Sequence, residues 1–383
     1  MAVLVKEVIN KKDLKKFINF PYDLYKGHSC FVPALRFDEE NTLRKDKNPA
    51  FDYCEARYWL AYKDNKLVGR IAGIINRSYI EKWQNKYMRF GWFDFEEDDE
   101  IVKALLGQVE QWAREAGLES VHGPLGFTDL DHEGMLIEGF NQLGTLATLY
   151  NYPYYPQLLE RSGYTKDIDW LEYKITIPKE MPANLEKIAS VVQRRLGLQV
   201  VKAKKAKEIL PYANELFQLI NSTYADLYGV VPLTEKQISY YTKQYFSFIR
   251  TDFVSLITNK EGRLVAFGIT MPSLSKALQK AKGRLFPFGI IHLLRAMKKN
   301  TLGDLYLVAV DKSLQGKGVN AVLMYELTKV YIKNGIQYAE SNPELETNTH
   351  VQSMWQYYDV WQHKKRRCFI KQLTNHPVQE REA

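Results

Sequence analysis

A glycine-containing loop in the second half of the chain has the composition of an anion-binding turn. It follows the apolar segment DLYLVAV at 304–310 and consists of Gln315, Gly316, Lys317, Gly318, Val319 and Asn320. An amphipathic helix is predicted directly after it, from about residue 321 to 333. A strand, a glycine loop and a helix N-terminus in this order bring free backbone N–H groups to one point, where the helix dipole also favours anions. The predicted ligand is therefore a phosphate or pyrophosphate.

Candidate acids and bases follow the next predicted strand, QYAES. Glu340 lies at the end of this strand, with Glu344 and Glu346 just beyond it, and Tyr357 and Tyr358 lie in a predicted helix after that. A carboxylate can take a proton from an attacking ammonium, and a tyrosine can protonate a departing thiolate, as acyl transfer from a thioester to an amine requires. The alternatives are solvated carboxylates and tyrosines that only pack.

A long glycine-rich and polar stretch in the first half, within 122–164 and before the predicted helix PQLLERSGY, is a second candidate binding region. It contains His132 beside Asp129 and Asp131. His132 could serve as an acid or base, or the group could bind the ammonium of a substrate. The alternative is a loop that packs one half of the molecule against the other.

An internal repeat supplies the elements that must position these residues. Two segments read as antiparallel hairpins, at 59–74 and 253–269, and each is followed later by an amphipathic helix that stops at glycine and leads into a short strand before proline. We therefore predict two α/β domains, 1–180 and 181–383, with a proline-containing boundary near 176–187 and an insertion at 272–303 in the second copy.

The glycine loop resembles the acyl-CoA-binding motif of the GNAT acyltransferase superfamily, Gln/Arg-x-x-Gly-x-Gly/Ala after a central strand. Gln315 and Gly318 match this motif, whereas Asn320 replaces its last small residue. Asparagine tolerates positive φ and helix N-cap positions better than most residues, so the departure is compatible with the motif. The resemblance implies two tandem GNAT-like folds, each a mixed α/β sheet, and contacts from Val308 and Val310 of the preceding strand to acyl-CoA as co-substrate.

The corresponding loop of the first half has a different composition. Five consecutive carboxylates occupy 96–100, where they would repel a pyrophosphate or cap a helix start. The first half is therefore expected to be a degenerate GNAT-like domain without a CoA loop.

The resemblance implies an acyl-CoA-dependent N-acyltransferase that acts on an amine. The tandem architecture is also similar to bacterial ceramide-synthase-like acyltransferases, which suggests a long-chain acyl group and an amino lipid. Two other classes stay open: a non-catalytic protein that binds acyl-CoA or lipid, and a tRNA-dependent aminoacyl transferase.

Net charge is +8, and much of it is local: between Arg263 and Asp304 there are seven basic residues and no acidic one. This insertion reads as two short helices with apolar faces and basic flanks, as expected of an element at an anionic membrane surface. It could instead cover the first domain, or contact an acidic protein or the CoA phosphates. No nucleic-acid-binding motif accompanies it.

The apolar segments and the cysteines indicate where the protein is located and which cofactors it can hold. No stretch approaches the length of a membrane span and no signal peptide is recognised, so we expect a cytoplasmic protein, with the inner face of the membrane as a peripheral position. Cys30, Cys54 and Cys368 are widely spaced, which argues against a disulfide framework and a thiolate metal site, and no metal is expected.

Overall fold

The computed structural model describes residues 2–246 and 249–373. The strands of its first half are β1 (Leu4–Glu7), β2 (Cys54–Lys63), β3 (Lys66–Asn76), β4 (Tyr87–Phe95), β5 (Ser120–Gly123), β6 (Met135–Glu138) and β7 (Thr165–Thr176). The helices are α1 (Lys11–Leu24), α2 (Arg36–Leu43), α3 (Arg77–Trp83), α4 (Asp99–Glu115) and α5 (Tyr154–Arg161).

The second half repeats this order with one helix added before its first strand and two helices, instead of one, between its third and fourth strands. Its strands are β8 (Gln199–Val201), β9 (Val254–Thr258), β10 (Leu264–Pro272), β11 (Leu302–Val310), β12 (Tyr338–Glu340), β13 (Glu344–Leu345) and β14 (Asp359–Gln372). Its helices are α6 (Ala183–Leu196), α7 (Ala213–Thr223), α8 (Glu235–Tyr245), α9 (Ser275–Ala281), α10 (Gly289–Lys298), α11 (Val319–Asn334) and α12 (Thr349–Gln352). Both predicted hairpins are present, as β2–β3 and β9–β10.

All these strands belong to one mixed sheet. Its main path runs β1-β2-β3-β4-β5-β14-β7-β12-β11-β10-β9-β8, with β6 paired to β14 and β13 paired to β7. Neighbouring strands are antiparallel except for β4–β5 and β11–β12, which are parallel. Each parallel pair is joined by a helix, α4 or α11, as a parallel connection requires. The predicted α/β class with a mixed sheet is confirmed.

The last strand of each half lies against the sheet of the other half. β14 pairs with β5 of the first half, and β7 pairs with β12 of the second half. β7 and β14 also pair with each other along most of their length. The division into 1–180 and 181–383 stays a prediction, and these two strands join the halves into one continuous sheet.

The apolar cores lie between the sheet and the helices that connect its strands. In the first half, α4 buries Leu105, Val109 and Trp112 against the sheet. In the second half, α11 buries Val322 and Leu323 in the same way. No helix within the described ranges is long and apolar enough to cross a membrane.

Candidate active site

The glycine loop leads from β11 into α11 by two left-handed turns. Gly316 has φ +73° and Gly318 has φ +88°. Residues with a Cβ atom rarely adopt this left-handed backbone conformation. The side chain of Gln315 folds back and donates to the main-chain oxygen of Val310 at 3.0 Å. Gly318 is the N-cap of α11, so the first N–H groups of the helix have no side-chain cap.

Asn320 stands where the motif has a small residue, and we considered a positive φ at this position. Its φ is not positive. It is the second residue of α11, which begins at Val319, two residues earlier than predicted. The left-handed conformations fall on the two glycines instead, so the asparagine side chain is accommodated by ordinary helix geometry.

A cavity of about 230 Å³ opens beside this loop. Its lining joins the loop, the first turns of α11, α6 and the segment before β14: Ile188, Leu314, Gln315, Gly316, Gly318, Val319, Asn320, Ala321, Met324, Ser353, Met354, Gln356 and Tyr357. Five of the predicted cofactor-binding residues therefore share one cavity with one predicted tyrosine. Unsatisfied N–H groups at a helix start beside a cavity form a fitting site for a phosphate group.

The other three predicted cofactor-binding residues do not line this cavity. Lys317 is exposed, and its main-chain oxygen accepts from Arg195 at 3.0 Å. Val310 is buried, while the main-chain oxygen of Val308 accepts from the Tyr224 hydroxyl at 2.9 Å.

The parallel strands β11 and β12 separate after three residue pairs. Leu302 to Asp304 pair with Tyr338 to Glu340, and β11 then continues to Val310 without a neighbouring strand on that side. Asn342 donates its side-chain amide to the main-chain oxygen of Tyr306 at 2.8 Å, so a side chain bridges part of this gap. We call the last pair before the separation, Asp304 and Glu340, the second-half fork.

The second-half fork is a buried pair of carboxyl groups. Asp304 is 1% exposed, and its Oδ1 atom has no hydrogen-bond partner among the residues that the structure describes. Its Oδ2 atom accepts from the Tyr306 hydroxyl at 3.4 Å. Burial and the neighbouring Glu340 raise the pKa of Asp304 to about 7. A group with this pKa can accept and release a proton near neutral pH. Asp304 was not among the residues predicted from the sequence, where the only signal was an acid at the start of an apolar strand.

Glu340, predicted as a base, forms an ion pair instead of lying exposed at the surface. Its Oε2 atom is 3.2 Å from Nζ of Lys364, which is also 3.1 Å from Glu172. Burial raises the pKa of Glu340, although Lys364 opposes this shift. Lys364 also donates to the main-chain oxygen of Leu143 at 3.2 Å, so the glycine-rich loop of the first half lies against the fork.

The two predicted tyrosines have different surroundings. Tyr357 is half-buried and lines the cavity, at the end of a 3₁₀ turn, Ser353–Tyr357, that replaces most of the predicted helix. The Tyr358 hydroxyl is 2.6 Å from the Thr328 hydroxyl, and burial raises the pKa of Tyr358 to about 12. Tyr357 is therefore the better placed of the two to contact a ligand in the cavity.

His132 lies outside the cavity, in the loop of the first half. Its Nε2 atom is 3.0 Å from the main-chain oxygen of Leu146. Burial raises the pKa of the nearby Asp129 to about 6 and raises the pKa of Asp131 and Glu133 as well. This loop thus presents an acidic group to the contact between the halves, and the roles of His132 as acid, base or ammonium site stay predictions.

One group in the described ranges combines a histidine, a carboxylate and a thiol. Ligand atoms of His122, Asp167 and Cys368 lie within 4.8 Å of one another. The Tyr228 hydroxyl lies among them, 2.9 Å from Nδ1 of His122 and 3.5 Å from Sγ of Cys368, and it donates to Asp167. A tyrosine from the second half therefore fills the centre of this group and ties the two halves together.

Two relatives match most of the chain. Protein YghO of Escherichia coli (strain K12) is 29% identical over 378 residues, which are 97% of this chain and 95% of the relative. The bacterial ceramide synthase of Caulobacter vibrioides (strain NA1000 / CB15N) is 26% identical over 327 residues, 83% of each chain. No protein-family model matches the chain.

Solved structures share the whole architecture at low sequence identity. A tandem GNAT protein from the clavulanic acid biosynthesis pathway matches with a TM-score of 0.54 and 11% identity, over 97% of this chain and 99% of that chain. A GCN5-related glucosamine N-acetyltransferase region of a fungal multi-domain β-N-acetylglucosaminidase matches with a TM-score of 0.56 and 12% identity, over 97% of this chain and 38% of that chain. The repeated strand order and the match over almost the whole length of the tandem GNAT protein show that the chain has the tandem GNAT fold.

Proposed function

We propose that the protein is an acyl-CoA-dependent N-acyltransferase that transfers a long-chain acyl group to an amine, with an amino lipid as the acceptor. The observation that carries this proposal is the cavity at the start of α11, at one end of the separated strand β11. The similarity to the bacterial ceramide synthase supports a lipid substrate. Such substrates would place the protein at the inner face of the membrane as a peripheral protein.

In this proposal the glycine loop holds the pyrophosphate of CoA. The first N–H groups of α11 and those of Gly316 and Gly318 would donate to phosphate oxygens, aided by the helix dipole. Asn320 would add an amide from the next turn. The thioester arm would follow β11 from the loop toward Asp304, where the strand has no neighbouring strand to occupy its edge.

Asp304 has the surroundings that the proton transfers need. As the amine nitrogen attacks the thioester carbon, the new C–N bond forms, the C–S bond breaks and the ammonium loses a proton. Asp304 would take that proton, because its Oδ1 atom has no partner within the described ranges and its pKa of about 7 suits a base at neutral pH. Asp304 would then pass the proton to the leaving thiolate, while Tyr357 would contact the CoA bound in the cavity. Glu340, held by Lys364, would keep the fork charged and in position.

The acceptor would enter between the halves. Leu143 and Leu146 of the first-half loop lie against the insertion, and Leu143 also accepts a hydrogen bond from Lys364. An amine that enters here would meet apolar side chains first and the carboxylates of the fork afterwards, as suits an amino lipid.

Calorimetry with CoA, acetyl-CoA and palmitoyl-CoA tests the donor. We expect palmitoyl-CoA to bind at least about tenfold more tightly than CoA, because each buried methylene adds favourable transfer free energy. Asn320→Trp should fill the cavity and abolish binding of all three. Glu97→Trp, at an exposed position in the corresponding first-half loop, is the matched control and should bind like the wild type.

Release of free CoA thiol in the presence of palmitoyl-CoA and sphinganine tests the reaction. Tight palmitoyl-CoA binding without CoA release from any long-chain amine would refute catalysis and favour a non-catalytic acyl-CoA-binding protein. If none of the three CoA compounds binds, the CoA assignment is wrong, and salt-sensitive binding of tRNA would then favour aminoacyl transfer.

A further inference from the structure

The turn between α9 and α10 and the outer side of α10 expose large apolar side chains. Phe286 is 76% exposed, Phe288 69%, Leu294 57% and Ile291 42%. These four lie within nine residues, whereas the other exposed large apolar residues of the described ranges occur singly or, at Val360 and Trp361, as one pair. A local concentration of this kind marks a contact surface.

The exposure is not due to a loosely attached segment, because α9 is anchored to the first half. Leu274, Ala277 and Leu278 pack with Val32 in one apolar cluster. The Gln279 side chain donates to the main-chain oxygens of Ser29 and Phe31, at 2.8 and 2.9 Å. Arg36 binds the turn from the other side, since its main-chain N–H donates to Gly283 at 3.0 Å.

α10 has one face against the protein and one face outward. Leu293 is buried, while Ile291, Leu294, Arg295 and Lys298 follow one another at helical spacing on the exposed side. The outer face therefore has apolar side chains in its first part and basic side chains next to them. This is the pattern of a helix that lies in the plane of a membrane interface.

The basic side chains of this region have no ion-pair partners in the part of the chain that the structure describes. The seven basic residues are all exposed, and none forms an ion pair with any other residue in the described ranges: Lys276, Lys280, Lys282, Arg284, Arg295, Lys298 and Lys299. Elsewhere in the molecule exposed lysines such as Lys236 and Lys312 do form ion pairs. A run of unpaired cations beside exposed apolar groups is complementary to an anionic surface that also has an apolar interior.

The insertion also adjoins the second-half fork. Pro272 pairs with Gly303, the residue before Asp304, and the Asn300 side chain donates to the main-chain oxygen of Ser273 at 2.6 Å. A surface held by the outer face of α10 would therefore lie near the end of β11 that carries the proposed base.

We propose that Phe286, Phe288, Ile291 and Leu294, with the basic residues around them, dock this protein on an anionic lipid bilayer. We call these residues the lipid-docking surface. The inference deepens the proposed function by naming how a lipid substrate is reached. It does not need that function to be correct, because docking is measured without substrate.

Co-sedimentation of the full-length protein with vesicles tests the docking. We expect at least about tenfold tighter binding to vesicles of 30% phosphatidylglycerol in phosphatidylcholine than to phosphatidylcholine alone, with weaker binding as salt is raised. Phe286→Ser combined with Phe288→Ser should weaken binding at least about tenfold. Arg295→Gln, Lys298→Gln and Lys299→Gln together should remove most of the preference for the anionic lipid.

Matched variants outside the surface control for loss of exposed apolar area and of charge. Ile9→Ser with Leu210→Ser, and Lys11→Gln with Lys12→Gln and Lys103→Gln, should bind vesicles like the wild type. Equal binding to both vesicles, or unchanged binding of the docking variants, would overturn the inference. So would the finding that Phe286→Ser with Phe288→Ser dissociates a dimer in light scattering, which would assign the surface to a second copy.

The two proposals fail separately. Palmitoyl-CoA binding without vesicle binding would refute the lipid-docking surface and leave the proposed acyltransferase function standing. Vesicle binding without any CoA binding would support the lipid-docking surface and refute the proposed acyltransferase function.

Discussion

The two halves separate a pair of parallel strands at the same place but use the opening differently. In the first half the last paired residues of β4 and β5 are Arg89 and His122, which we call the first-half fork, and in the second half they are Asp304 and Glu340. Each central strand continues for six further residues, to Phe95 or Val310. The same register position thus carries basic side chains in one half and acidic side chains in the other.

The opening of the first half is closed by its own main chain. The N–H of Leu125 donates to Phe90 at 2.8 Å, and a Cβ added at Gly91 would lie 2.4 Å from the main-chain oxygen of Leu125. Arg89 holds this chain in place by donating to the main-chain oxygen of Gly126 at 3.0 Å. In the second half the contacts to the open part of β11 come from side chains, such as those of Asn342 and Tyr224, instead of from main chain.

The loops after the two central strands also differ, because the first-half loop is closed and the second-half loop is open. Only Glu96, Glu97 and Asp98 separate β4 from α4, and Asp98 caps the helix while Lys63 pairs with it at 2.6 Å. The longer loop from Asp311 to Gly318 has two left-handed glycines and a cavity. The second half therefore leaves a strand edge and a helix start free for a ligand. The first half fills both positions with its own chain and packs as a scaffold.

The largest expected effect concerns charge compensation at the two forks. Lys364→Met should lower the free energy of unfolding by about 3–5 kcal/mol, because Glu340 and Glu172 would lose their shared cation in a buried place. Arg89→Met should cost less, about 1–3 kcal/mol, because Arg89 donates to main-chain oxygens that carry no net charge. Urea unfolding at pH 7 measures both. Equal losses would show that the forks do not differ in this respect.

The proposed base gives the next largest effect. Asp304→Asn should lower turnover at least about 100-fold and leave the Kd for palmitoyl-CoA within about twofold. Wild-type turnover should rise as pH increases through about 7, the pKa to which burial and Glu340 raise Asp304, because the base must be ionised. Steady-state kinetics between pH 5 and 9 measure this step. A variant with wild-type turnover would exclude Asp304 as the base.

Thermal unfolding should report the same carboxyl group independently of catalysis. The pKa of Asp304 rises from 3.8 to about 7 on folding, so the protonated form stabilises the native state. This contribution is complete below about pH 4 and is lost as pH rises through about 7. The Tm of Asp304→Asn relative to the wild type should therefore increase by more than about 3 °C between pH 5 and pH 8. A constant difference would contradict the raised pKa.

The smallest expected effects separate the two helix starts. Gly318→Ala should weaken CoA binding about tenfold, because φ is +88° and the added Cβ would lie 2.9 Å from Cγ2 of Val192. Asp98→Ala should cost about 1 kcal/mol of stability through loss of the N-cap, without changing CoA binding. Calorimetry measures CoA binding and urea unfolding measures stability for both variants. Weaker CoA binding by Asp98→Ala, or unchanged CoA binding by Gly318→Ala, would contradict these roles.

Local patterns were enough to predict several parts of this molecule. Alternating apolar residues predicted both hairpins, and the strand, glycine loop and helix around Gln315 were predicted in the correct order. The apolar faces of α9 and α10 were also recognisable. These features depend on neighbours within one or two turns or strands, so the one-dimensional pattern contains them.

The candidate acid and base residues were harder to predict. Glu340 was taken for a carboxylate that faces an opening, but it pairs with Lys364 from β14, and Asp304 was not identified at all. Tyr357 and Tyr358 could not be distinguished until the 3₁₀ turn directed one to the cavity and the other to Thr328. Each outcome depends on residues from distant strands or helices.

The amino-acid sequence was sufficient for the class of fold, the repeat, the glycine turn and the basic insertion, because periodicity, glycine conformations and net charge are local properties. Only the tertiary structure decided which carboxyl groups are buried next to each other, which opening is closed and which apolar side chains stay exposed. Those outcomes depend on the exchange of β7 and β14 between the halves and on the packing of α9 against the first half. Desolvation and charge pairing are set by such long-range contacts, so they appear only once the chain has folded.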